Sequence, residues 1–158
     1  MAAPAITART TPAGIMLKDG YSTKIAFAAD PDVSFWEKTV KPPGIDGGDG
    51  IEQTTMHNSA YRTMRSRSLK TLTEASGKAA YDPNVVNNII ALINVETDVT
   101  VHFPDASTYS FYGFLKSVEF DDLVEGTQPE LSYSIVPTNY DPDANVEAGP
   151  LLTSVPGT

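Results

Sequence analysis

A mainly β fold, an antiparallel sandwich or barrel of about seven or eight strands with one flanking α-helix, follows from three features of the sequence. Short runs of alternating apolar and polar residues recur along the chain, the period at which a strand presents one face to a core. Turn formers punctuate those runs, with 12 Pro and 11 Gly among 158 residues. Helical spacing of apolar residues is sustained in one segment, the stretch that contains Val85, Ile89, Leu92 and Ile93.

Taken in order, residues 1–14 read as an extended arm, because small residues, Thr and Pro leave little to bury. Thr23 to Ala29 reads as a strand with Ile25 and Phe27 on one face and Lys24 on the other, and Val33 to Val40 as a second. Lys41-Pro-Pro-Gly-Ile-Asp-Gly-Gly-Asp-Gly50 is the strongest loop signal, since proline lacks an N–H donor and glycine admits positive φ. Ile51 to Met56 and Ser76 to Tyr81 read as strands, while Tyr61 to Leu72 fits neither period. Asp82 suits an N-cap and Pro83 a first helical position, which places the helix at about 83–94.

Thr97 to Phe103 alternates with Val99, Val101 and Phe103 on one face. Thr108 to Phe120 is apolar on both faces, as a strand covered on both sides is, and Gly113 within it marks a bulge or a close backbone approach. Leu131, Tyr133 and Ile135 alternate with serines, and the polar, Pro-rich stretch from 139 to 158 reads as a second arm. Trp36, Tyr109, Phe111, Tyr112 and Phe114 are the expected aromatic core, with part of that set available to an interface. The chain 1–158 is therefore expected to be a single domain with two arms.

Chemistry is sparse. With no Cys, thiol nucleophiles, disulfides and zinc–thiolate sites are excluded. The residues His57 and His102 have no metal-ligand spacing, and no Gly-x-Ser-x-Gly elbow supports a nucleophile. The glycines from 44 to 50 lack the Gly-Lys-Ser/Thr of a phosphate loop. Asp141, Asp143, Asn145 and Glu147 begin like a calcium loop, but Val146 and Leu152 occupy the positions that need Gly and Glu. No catalytic, cofactor or metal residue is expected, and the protein is read as a non-enzyme. The start lacks a signal-peptide pattern and no apolar run is long enough to span a bilayer, so a soluble protein with no membrane partner is expected.

The formal net charge is -9, which disfavours coating of nucleic acid. It is unevenly placed: beyond residue 95 Lys116 is the only basic residue, among many carboxylates. Arg62, Arg65, Arg67 and Lys70 form a basic cluster that lacks interleaved aromatics, and it is expected to meet acidic surface on a neighbouring subunit.

The order of landmarks resembles that of the tail tube proteins of long-tailed, siphovirus-type bacteriophages. The residues concerned are Phe35-Trp-Glu-Lys-Thr-Val-Lys-Pro-Pro-Gly-Ile-Asp-Gly-Gly48, Thr54-Thr-Met-His-Asn58, Ala80-Tyr-Asp-Pro83, Val101-His-Phe-Pro-Asp105 before the aromatic strand with Gly113, Glu125-Gly126 with Pro129, and Ile135-Val-Pro-Thr-Asn139. They span residues 33 to 142. The resemblance implies a virion structural protein of the phage tail, made in the host bacterial cytoplasm. It would assemble into hexameric rings stacked as a tube, beside tape-measure, terminator and distal tail proteins. Double-stranded DNA would pass through the lumen without specific binding. On this reading Lys41, Pro42, Pro43, Gly44, Ile45 and Asp46 contact a neighbouring subunit or ring, and Glu119, Asp121, Asp122 and Glu125 face the lumen. The alternatives are a single-ring tail terminator or head–tail connector, and a β-sandwich carbohydrate-binding module.

Overall fold

The computed structural model describes residues 19–154 apart from 32 and 34; the expected N-terminal arm, 1–14, lies outside the described residues. The strands are β1 (Lys24–Phe27), β2 (Trp36–Lys41), β3 (Ile45–Asp46), β4 (Ile51–Glu52), β5 (Met64–Arg65), β6 (Thr71–Leu72) and β7 (Ala75–Ala80), followed by helix α1 (Val86–Ala91). After it come β8 (Thr97–His102), β9 (Thr108–Phe120), β10 (Glu130–Pro137), β11 (Tyr140–Asp141), β12 (Val146–Glu147) and β13 (Leu151–Thr153).

One seven-stranded antiparallel sheet organises the molecule, in the order β1-β8-β9-β10-β7-β2, with β13 also pairing β9. Strand β9 is 13 residues long and belongs to two half-sheets. Its first half pairs with β8 and β13, its second half with β10. The sheet curls until its two ends meet: the Glu37 carboxylate of β2 accepts a hydrogen bond from the Ile25 N–H of β1 at 3.0 Å. A cleft of about 980 Å³ remains along this seam, between residues 20–24 and β2.

Period-two burial fills the space between the half-sheets. Ile25, Phe27, Val99, Val101, Tyr109 and Phe111 face Leu115, Tyr133 and Ile135, with Phe35 between them. Phe35 stacks on Tyr133 at 4.7 Å and meets Phe27 edge-on at 5.9 Å. Each of these large side chains contributes about 1.5–3 kcal/mol by leaving water. Glycine is required where backbones come closest. At Gly77 a Cβ would collide with the Thr39 carbonyl oxygen and the Tyr133 hydroxyl, and at Gly113 it would lie 2.6 Å from the Val136 carbonyl oxygen. Gly113 is thus a close backbone approach.

The helix is shorter than its apolar spacing predicts. It covers Val86–Ala91, with Val86 and Ile89 buried. Residues 83–85 form a turn, in which the Asp82 carboxylate accepts the Asn84 N–H at 2.9 Å. The far end is drawn off by the sheet: Ile93 bridges Leu115, and the Asn94 N–H donates to the Leu115 carbonyl. Trp36, expected in the core, is instead 64% exposed, because Val33 and Phe35 take the inward positions and the next residue points out. Its indole N–H donates to Asp82 at 2.9 Å. Tyr112 and Phe114 are half-buried on the outward face of β9. The segment read as a C-terminal arm carries the β11–β12 hairpin and then β13, which adds Leu151, Leu152 and Thr153 to the edge of β9.

Candidate functional interfaces: a projecting arm and an acid-rimmed corner

Between β2 and β7 the chain leaves the core. It runs out through β3 and β4, turns over residues 53–63, and returns through β5 and β6. The two short ladders, Ile45–Asp46 with Thr71–Leu72 and Ile51–Glu52 with Met64–Arg65, extend the β2–β7 pair as a long hairpin. Every residue from Gly44 to Thr71 is exposed except the half-buried Asn58.

This arm is shaped by hydrogen bonds, since it has almost no core of its own. Gly44 and Thr73 exchange bonds at the root, through Gly44 N to Thr73 Oγ1 at 2.8 Å and Thr73 N to Gly44 O at 2.9 Å. Near the tip Gln53 N donates to Thr63 O at 2.8 Å, and Asn58 Nδ2 to Tyr61 O at 2.9 Å. Gly48 adopts a φ of 80°, and its N–H donates to Asp46 Oδ1. Large apolar side chains nevertheless stand in water along it: Ile45, Ile51, Met56, Tyr61, Met64 and Leu69, with Met56 99% exposed.

Two of the three sets of residues singled out in the sequence fall on this arm. Lys41, Pro42, Pro43, Gly44, Ile45 and Asp46 form its root, Arg62 closes the turn at its tip, Arg65 lies in β5, and Arg67 and Lys70 lie between β5 and β6 on the way back. Arg62 pairs with Glu52 at 2.7 Å, and Arg67 Nε donates to the Asp49 carbonyl at 2.8 Å. Arg65 and Lys70 are exposed. Sequence reasoning did not anticipate that the cluster would share its surface with Met56, Tyr61, Met64 and Leu69. The signal was present: a stretch with neither helical nor strand period, yet with large apolar residues.

The third set, Glu119, Asp121, Asp122 and Glu125, sits at the end of β9 and in the link that follows. Asp121 is engaged within the subunit, accepting from Ser132 Oγ at 2.7 Å and lying 3.2 Å from Lys78 Nζ. The Ser132 hydrogen bond and the lysine hold its pKa below the ordinary aspartate value. Glu119, Asp122 and Glu125 are exposed, and they alternate with exposed Phe120, Leu123 and Val124. Tyr81 packs edge-on to Phe120 at 6.0 Å, and these two with Leu123 and Pro129 line a pocket of about 310 Å³.

Between arm and corner, the outward face of the β9–β10–β7 half-sheet is short and polar. Ser117 and Ser134 lie opposite one another, as do Ser134 and Ser76. Three of its lysines face carboxylates, Lys38 with Glu130 at 2.7 Å, Lys78 with Asp121 at 3.2 Å and Lys116 with Glu74 at 3.2 Å, while Lys41, opposite Ser76, is exposed. Among the described residues no group of His, Cys, Asp or Glu is arranged to hold a metal ion.

No protein-family model matches the chain, and no curated protein matches it. Solved structures do. A chain of the virion of a native gene transfer agent particle superposes with a TM-score of 0.61 at 8% identity, over 87% of this chain and 100% of the other. A chain from the tail of an empty gene transfer agent particle, refined with C6 symmetry, gives 0.58 at 9% identity over 89% and 100%. The fold is that of a chain of a gene transfer agent tail. A chain from the sixfold-symmetrised baseplate of the anti-feeding prophage superposes with a TM-score of 0.52 at 8% identity, covering 97% of each chain. At such low identity the shared feature is the fold.

Proposed function

We propose that this chain is a structural subunit of a phage tail tube, which polymerises as stacked hexameric rings and forms a conduit for DNA. The observation that carries this reading is the arm, a hydrogen-bonded hairpin whose apolar residues find no cover in its own subunit, on a fold shared with a chain from a sixfold tail. Such side chains need a partner, and a repeating assembly supplies one at every copy. The open seam between β1 and β2 adds unpaired strand edge that ring closure would satisfy. The subunit would be made in the host bacterial cytoplasm and reside in the virion, beside tape-measure, terminator and distal tail proteins. It would be structural, without catalysis.

The serine-rich outward face suits a channel wall. Its hydroxyls are short, and Lys38, Lys78 and Lys116 are paired with carboxylates, which leaves Lys41, opposite Ser76 at the edge of the face, as its exposed cation and little charge to hold a phosphate. The acidic corner is less suited to that wall than its charge alone suggests, because Phe120, Leu123 and Val124 would stand bare in an aqueous lumen. We therefore assign Glu119, Asp122 and Glu125 to a protein contact.

Negative-stain electron microscopy of the purified chain, beside a sizing column, tests the reading. Hollow tubes support it. Single closed rings that never stack favour a terminator, connector or baseplate-type ring, the reading to which the baseplate likeness lends weight. A monomer at every concentration that binds glycans in a screen overturns both in favour of a binding module.

A further inference from the structure

The arm and the acid-rimmed pocket lie at opposite ends of one ladder. Strand β7 starts beside the arm's root and ends at Ala80, next to Tyr81, which lines the pocket; β2 runs the other way, from the exposed Trp36 to Lys41. The six residues of β7 separate the two sites by about 20 Å at ~3.3 Å per residue, and the arm extends away from the pocket. An arm therefore cannot reach the pocket of its own subunit. The two surfaces nevertheless match. The arm carries exposed Met56, Tyr61 and Met64 beside Arg62, Arg65 and Lys70. The pocket carries exposed Phe120 and Leu123 with Tyr81, rimmed by Glu119, Asp122 and Glu125.

We propose that the arm of one copy docks head-to-tail on the Tyr81–Phe120–Leu123 pocket of the next, with apolar side chains at the centre and the arginines and lysine against the acidic rim. The inference rests on the assembly reading above and names the two surfaces that join. A contact between unlike faces at opposite ends of a subunit is heterologous, so it repeats without self-limiting unless a ring closes it. Burying the aromatic and thioether side chains supplies affinity, while the charges select orientation and exclude the arm-to-arm and pocket-to-pocket pairings, in which like charges meet.

The absence of cysteine makes the test clean. Met64→Cys and Leu123→Cys are prepared as separate single variants, mixed under mild oxidation, and compared with each alone on a non-reducing gel. Tyr61→Cys with Phe120→Cys provides a second pair in case the first geometry is poor. The expected result is a heterodimer band in the mixture, and a ladder of covalent multimers when both cysteines are placed in one chain. In parallel, Arg65→Glu with Lys70→Glu raises the protein concentration needed for assembly roughly tenfold, and Asp122→Lys with Glu125→Lys in the same chain restores it. Tubes or rings that form normally while neither pair cross-links overturn this contact and leave the assembly reading standing. A Leu123–Leu123 band alone shows an isologous pocket-to-pocket dimer and also overturns it. A wild-type chain that forms no oligomer at any concentration removes the assembly reading and this contact with it.

Discussion

The curled sheet and the arm are built on opposite principles. In the sheet, Phe111, Leu115, Tyr133 and Ile135 are almost wholly buried, and Gly77 and Gly113 are held to hydrogen because backbone and ring atoms already fill the space. In the arm, side chains of comparable size stand in water, and shape comes from short ladders and hydrogen bonds between side chains and backbone. The sheet buries its large side chains within one subunit; the arm leaves its own uncovered there. Mutations should therefore separate into those that unfold the subunit and those that leave it folded but alone.

The largest effect that would break this division is in the sheet. Phe111→Ala should cost about 3–5 kcal/mol, read as a lowered urea midpoint of the unassembled subunit. Gly77→Ala adds a methyl where none fits and should cost about 1–3 kcal/mol in the same measurement. The arm should behave otherwise: Met56→Ala or Tyr61→Ser should stay within about 0.5 kcal/mol of the parent while reducing the yield of tubes or rings. An arm variant that unfolds the subunit as Phe111→Ala does would erase the distinction.

Two smaller effects sharpen it through pH. Asp121 has a depressed pKa, from Ser132 and Lys78, so its contribution is present above the unfolded aspartate value and lost as pH falls through the folded one. Asp121→Asn should therefore lower stability at neutral pH and make little difference in acid. Asp98 behaves inversely. Burial, and then the nearby Asp141 carboxylate, raise its pKa, so its charged form opposes folding and the penalty lifts as pH falls through the raised value. Asp98→Asn should match or exceed the parent near neutrality and lose that advantage in acid. Paired thermal melts across the acid range would check both signs.

How much of this was legible in the sequence depended on burial. Strand β8 was read to within a residue because Val99 and Val101 announce a buried face through alternation, and β9 was read end to end from an aromatic run apolar on both faces, of which Tyr109, Phe111 and Leu115 are buried and Tyr112 and Phe114 half-buried. The antiparallel class followed from alternation, and the helix from the helical spacing of Val85, Ile89, Leu92 and Ile93 after Asp82-Pro83. The helix came out short because Ile93 serves the sheet at Leu115, a tertiary demand that local spacing does not carry. Trp36 was misplaced since apolar character was weighed over alternation, although Val33 and Phe35 already occupied the inward positions. Of the arm's ladder strands only β4 was legible, and the strand read at Ile51 to Met56 shortens to Ile51–Glu52; with both faces wet, no period is imposed on Ile45–Asp46 or Met64–Arg65. The basic cluster could be found from composition, but the apolar residues beside it gained meaning only once the fold had left them uncovered.

Strand β9 also has a mechanical consequence. Thr108 at one end is tied to Thr153 of the C-terminal segment, and Phe120 at the other to Leu131, one residue before which the chain leaves the acidic corner. Force arriving at the C-terminal segment is handed to the opposite half-sheet along covalent backbone, with the flanking hydrogen bonds loaded together in shear instead of opening one by one. A wall made of such members would stiffen along the strands and yield across the β1–β2 seam, where Glu37 and Ile25 make the closing hydrogen bond.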